Sequence, residues 1–125
     1  MARLRFDRRA RLRKPRDFEA AFERGSRFNE KWLAALVTPN APAGPRLGLA
    51  VAKKTAARAN TRNRIKRQIR ESFRQNRHRL PPSDIVILAR PGCPQATAPQ
   101  LREVLERLWQ RIIRAPASSP PPASA

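Results

Sequence analysis

Residues 84–90, Asp-Ile-Val-Ile-Leu-Ala-Arg, constrain this chain more than any other stretch. The apolar run from Ile85 to Ala89 is bounded by Pro81-Pro82 on one side and Pro91-Gly92 on the other. It is too short for an ordinary helix and lacks the alternation of a strand with one wet face. It predicts a strand buried on both faces, central or parallel in its sheet. With 125 residues, one domain is expected to supply the cover.

The surrounding pattern supplies candidates for that cover. Residues 99–114 carry Leu101, Val104, Leu105, Leu108, Trp109, Ile112 and Ile113 at helical spacing, which predicts an amphipathic helix lying on the sheet. Residues 15–25 predict a short helix: Pro15 suits a first turn, Asp17 and Glu19 suit its positive end, and Gly25 suits the stop. Phe18, Ala21 and Phe22 share its inner face. Residues 27–38 read as extended, and 40–45 as a loop. Residues 46–53 alternate, with Leu47, Leu49 and Val51 on one face and Gly48, Ala50 and Ala52 on the other. The second face lacks bulk, so either a helix or an extended ligand can approach the backbone there.

The charge is concentrated. Lys and Arg number 28 against 9 Asp and Glu, a net charge of +19, and 23 of the cations are arginine. Such an excess points to a polyanionic partner, and the planar guanidinium suits phosphate. Residues 53–79 hold eleven cations and one acid, Glu71. Residues 1–16 hold eight cations and one acid, Asp7, and residues 1–10 read as a mobile basic arm. At about 100° per residue, Ile65, Ile69 and Phe73 form one apolar stripe of a helix, and Lys66, Arg67, Arg70, Arg74 and Arg77 form an adjoining cationic strip around Asn63. That combination predicts a core-docked helix whose neighbouring edge binds nucleic acid. The tail from Ala115 to Ala125 contains only Ala, Pro and Ser and is expected to be disordered.

Residues able to perform chemistry are scarce. One cysteine, Cys93, excludes an intrachain disulfide, and one histidine, His78, makes no metal site by itself. No pair of carboxylates has a spacing suited to two-metal phosphoryl transfer. No apolar run reaches the roughly 20 residues needed to span a bilayer, and no signal-peptide pattern is present, so the cytoplasm is the expected address.

At residues 59–74, Ala-Asn-Thr-Arg-Asn-Arg-Ile-Lys-Arg-Gln-Ile-Arg-Glu-Ser-Phe-Arg, the chain resembles the signature helix of the bacterial ribonuclease P protein family. The similarity extends to Arg11-Leu12-Arg13-Lys14 with Asp17, Phe18 and Phe22, to Arg46–Val51 with Lys53-Lys54, and to Asp84–Arg90. It covers roughly residues 11–113. The resemblance implies a single domain over 11–114: a two-layer α/β sandwich of order α-β-β-β-α-β-α, like the second domain of ribosomal protein S5. Its mixed four-stranded sheet would contain a left-handed β-α-β crossover, against the usual hand. Residues 27–38 would then have to hold two short strands or one bent one.

The same resemblance implies a role. The family's holoenzyme removes the 5′ leader of precursor tRNA, with catalysis by its RNA and magnesium bound mainly by that RNA. No catalytic residue, organic cofactor, membrane or obligate protein partner is implied for the protein. Arg62, Asn63, Arg64, Lys66, Arg67, Arg70 and Arg74 would face the catalytic RNA. Arg11, Lys14, Phe18, Phe22, Lys53 and Lys54 would hold the leader, with core packing as the competing explanation for the two phenylalanines. No tyrosine is present, and Ala34 or Leu36 stands where relatives often offer an aromatic residue. A ribosomal protein, an RNA chaperone or a DNA-compacting protein would share the basic charge.

Overall fold

A computed structural model describes residues 15–40 and 44–115, with side chains in the first helix from Phe18 onward. Helix α1 (Pro15–Arg24) leads into strands β1 (Ser26–Asn29), β2 (Leu33–Pro39) and β3 (Arg46–Ala50). Helix α2 (Ala59–Asn76) runs on through a 3₁₀ turn to β4 (Ser83–Ala89), and α3 (Ala98–Arg114) follows. The order is the α-β-β-β-α-β-α that the family resemblance implies. The sheet is mixed, in the order β1-β2-β4-β3; β4 pairs antiparallel with β2 and parallel with β3.

The apolar run at 85–89 is therefore a central strand. Ile85 and Ile87 point into the main core with Leu33, Ala35 and Leu47, under Ile65, Ile69 and Phe73 of α2 and Leu101, Leu105, Leu108 and Trp109 of α3. Val86 points the other way and joins Leu36 and Ala21 in a smaller cluster, flanked by Phe18, Ala50 and Leu88. Thus α2 and α3 cover one face of the sheet, and α1 lies over β2 and β4 on the opposite face. That partial third layer explains why no residue in the middle of β4 alternates to a charge.

Residues 27–38 hold two strands in a hairpin. Its connection, Glu30-Lys31-Trp32, carries neither Gly nor Asn, yet Trp32 adopts φ +70°. A left-handed conformation costs a non-glycine residue about 1–2 kcal/mol. Tertiary contacts hold it. The Glu30 carboxylate accepts from Arg107 and Arg111 of α3 at 3.1 and 3.0 Å, and Arg90 donates to the Glu30 carbonyl at 2.7 Å.

Gly25 ends α1 for a reason of space. A Cβ there would stand 2.5 Å from the Ala21 carbonyl oxygen, which accepts the Gly25 N–H, and 3.3 Å from Leu36 Cβ. α3 starts at Ala98, one residue before the expected boundary. Thr97 caps it: its hydroxyl accepts from the Gln100 N–H, and the Gln100 side chain accepts from the Thr97 N–H. α2 and α3 are joined by a T-shaped contact between Phe73 and Trp109, and by the Trp109 indole N–H donating to Ser72 Oγ at 2.7 Å.

Candidate nucleic-acid interface

The signature helix docks as its spacing predicts. Ile65, Ile69 and Phe73 are completely buried. Asn63, Arg64 and Arg67 are exposed, while Arg62, Lys66, Arg70 and Arg74 are half-buried. Cations of the strip also make contacts within the protein, Arg70 among them. Arg64 donates to the Pro94 carbonyl at 3.1 Å, Arg74 pairs with Glu71 at 2.7 Å, and Arg62 Nη1 donates to the Ala56 and Ala57 carbonyls at 2.9 and 2.8 Å.

Beside this strip lies an open cleft of about 900 Å³ at the carboxyl ends of the parallel pair β3 and β4. It is lined by Ala50, Ala52, Leu88 and Ala89, by Phe22, and by the cations Arg27, Lys54, Lys66 and Arg90, among others. The cleft exists because α1 lies over β2 and β4 and leaves the carboxyl end of β3, with its small side chains, accessible. β3 itself ends at Ala50, short of the expected residue 53, and residues 51–58 form a loop that carries Lys53 and Lys54, both exposed.

Of the residues expected to act together, the structure joins Lys66 of the strip with Lys54 and Phe22 of the cleft. The two phenylalanines separate. Phe22 is 56% exposed, whereas Phe18 packs against the small cluster under α1. Lys53 stands on the loop but does not line the cleft. Arg11 and Lys14, the arm over 1–10 and the tail beyond Ala115 lie outside the described residues.

Arg27 is a cleft residue that sequence reasoning missed. Its signal was available only with the register: it faces Leu36 across β1 and β2, so it shares the α1 side of the sheet. A second hollow, about 640 Å³, lies between α2 and α3 and is lined by Gln68, Glu71, Gln75, Glu103 and Glu106 among others. It gathers acids, and so differs in character from the cationic cleft.

Among the described residues, two titratable groups are clearly shifted. Cys93 is buried, which pushes its thiol up to about 11 against a smaller opposing effect of Arg64. A thiol so protonated is a poor nucleophile. Arg107 is held more firmly protonated by hydrogen bonds to Glu30 and Glu103. Among the described residues no three His, Cys, Asp or Glu side chains converge to hold a metal ion, and no helix is long and apolar enough to cross a membrane.

A mixed four-stranded sheet, a docked helix with a cationic edge and a basic-lined cleft beside it define a small basic α/β protein. Comparison with known proteins makes this specific. The family model for ribonuclease P matches residues 6–113. The chain is 44% identical over 114 residues to the ribonuclease P protein component of Photorhabdus laumondii and 45% identical over 114 residues to that of Haemophilus influenzae; each match covers 91% of this chain and 96% of the relative. Solved structures are similar as well, among them the following two. The RNase P protein of Staphylococcus aureus has a TM-score of 0.77 at 29% identity, covering 84% of this chain and 95% of its own. That of Thermotoga maritima has a TM-score of 0.74 at 34% identity, covering 82% and 96%. The chain belongs to the bacterial ribonuclease P protein family.

Proposed function

We propose that this chain is the protein subunit of a ribonuclease P ribonucleoprotein, and that it binds both the catalytic RNA and the 5′ leader of precursor tRNA while the RNA cleaves the leader off. The observation that carries this reading is the continuity of the cationic strip on α2 with the cleft, through Lys66. In the proposal, Asn63, Arg64, Lys66, Arg67, Arg70 and Arg74, with Arg62 at the amino end, face the catalytic RNA. Guanidinium groups and an amide on one edge suit phosphates and 2′-hydroxyls.

The extended leader lies in the cleft. The small side chains of Ala50, Ala52 and Ala89 admit a backbone closely, Phe22 offers a stacking face that tolerates any base, and Lys54 and Arg27 meet phosphates. Lys53 stands beside it, and Arg11 and Lys14 are assigned to the same strand by the family pattern. Among the described residues no three His, Cys, Asp or Glu side chains converge to hold a magnesium ion, and Glu30, Glu71, Asp84, Glu103 and Glu106 each pair with an arginine. The proposal therefore leaves the metal with the RNA and gives the protein a positioning role.

Reconstitution with a bacterial ribonuclease P RNA at low magnesium tests this. The protein alone should leave precursor tRNA intact, and its addition should lower the magnesium at which the RNA cleaves. Cleavage by RNA-free protein, or no effect on the RNA's magnesium requirement, overturns the reading.

A further inference from the structure

We infer that Arg62 is a positioning residue, bracing the loop after β3 so that Lys53 and Lys54 are held in a fixed place relative to α2. The inference rests on the function proposed above for those lysines, but its physical core concerns the protein alone. One terminal nitrogen, Nη1, donates to two successive carbonyls, Ala56 at 2.9 Å and Ala57 at 2.8 Å. Those residues belong to the segment joining β3 to α2, and Arg62 lies within the first turns of α2.

The loop is tied at three other points. The Thr55 and Ala56 N–H groups both donate to the Ala52 carbonyl at 3.0 Å, making a tight turn whose tip is Lys53-Lys54. The Ala56 side chain is buried in the main core. The Arg62 N–H donates to the Arg58 carbonyl at 3.0 Å as the helix begins. Arg58, at the N-cap position, makes no side-chain capping bond. The Arg62 guanidinium is therefore the side chain that ties the helix entry back to the turn. Its Nε and Nη2 stay free of these two bonds, so bracing and phosphate contact are compatible.

Lysine keeps the charge at this position but is shorter and has no planar guanidinium, so Arg62→Lys separates charge from bracing. Amide hydrogen exchange of the full-length protein is the first readout. Losing two charge-assisted bonds should raise exchange at Thr55 and Ala56 by about tenfold or more in both Arg62→Lys and Arg62→Gln. The amides of Ile69 and Phe73, deep in α2, should keep their protection and certify the fold. Unchanged exchange at Thr55 and Ala56 in both variants overturns the brace, whatever the RNA does.

The second readout is a double-mutant cycle with the reconstituted holoenzyme, comparing precursor tRNA with and without its leader. Arg62→Lys should weaken leader-dependent affinity about fivefold in the native background but less than twofold when Lys53 and Lys54 are already alanine, because interacting sites are non-additive. Equal losses in the two backgrounds mean that Arg62 does not act through those lysines and overturn the inference. If the native holoenzyme does not distinguish leader-bearing from leaderless tRNA, it is the leader-cleft reading that fails, and the exchange result alone decides the brace.

Discussion

Arg46 and Asp84 are register partners at the amino ends of β3 and β4, and their side chains close a two-point bond, Nε to Oδ1 at 2.7 Å and Nη2 to Oδ2 at 2.8 Å. Asn40 donates to the same carboxylate. A parallel pair has no hairpin turn to set its alignment, so a bidentate link at its start fixes the register directly. Asp84→Asn keeps the shape and removes the counter-charge from a guanidinium that is only 27% exposed. It should lower stability by about 2 kcal/mol. Urea unfolding at neutral pH measures this, and an unchanged midpoint would mean that strand packing alone sets the register.

The contact between α2 and α3 combines apolar packing with one hydroxyl acceptor. Trp109 is fully buried and its N–H donates to Ser72. Ser72→Ala should cost about 1–3 kcal/mol by orphaning that donor. Trp109→Ala should cost about 3–5 kcal/mol through the cavity it leaves. Thermal unfolding of the two variants should rank them in that order, and the reverse ranking would refute the assignment.

Alkaline stability should depend on Cys93. Its thiol is raised from an ordinary 9.0 to about 11 by burial, so the folded state keeps the proton to higher pH than the unfolded chain. The corresponding stability is complete below pH 9 and is lost as the pH rises from there through about 11. Cys93→Ala should flatten that decline. An identical slope in the two proteins would show that the cause lies in other groups.

The two aromatic residues of α1 should separate by experiment. Phe22→Ala removes an exposed ring and should weaken leader-bearing precursor tRNA by about 1–3 kcal/mol, with little change in leaderless tRNA or in melting temperature. Phe18→Ala should instead lower the melting temperature, since Phe18 packs beneath the helix. Equal effects of Phe22→Ala on both substrates would remove it from the leader site.

On the signature helix, Arg67 is exposed and lies within the cationic strip. Arg67→Ala should weaken binding to the catalytic RNA and reduce the salt slope by about one unit. A slope equal to that of the native protein would place the contact surface elsewhere.

The central strand was legible as an unbroken apolar run between turn residues, and the three helices and the docked face of α2 because each rests on a periodic apolar pattern. Ile65, Ile69 and Phe73 are buried where a helical wheel places them. The hairpin at 26–39 was not legible as two strands, since its turn lacks turn-forming residues and is held by Arg90, Arg107 and Arg111 from distant elements. The same limit applied to the cleft. That Phe22 is exposed and Phe18 packed depends on the angle at which α1 crosses the sheet, and Arg27 joins them only through strand register. Arg62 was readable as a cation on a helix but not as a brace, because its partners are backbone carbonyls, which carry no sequence signature.

Five acids in the described residues are engaged with arginines that join one element to another or one helical turn to the next. Those pairs neutralise charge where the frame needs it and leave the surplus on the surface, where like charges repel and oppose compaction. Folding of the isolated chain is thereby linked to the anions around it: whatever polyanion binds the native surface and not the unfolded chain deepens the native well as its concentration rises above its dissociation constant. The melting temperature of this protein is accordingly a property of its ionic surroundings as much as of its core, and moves with the concentration and valence of the anions supplied.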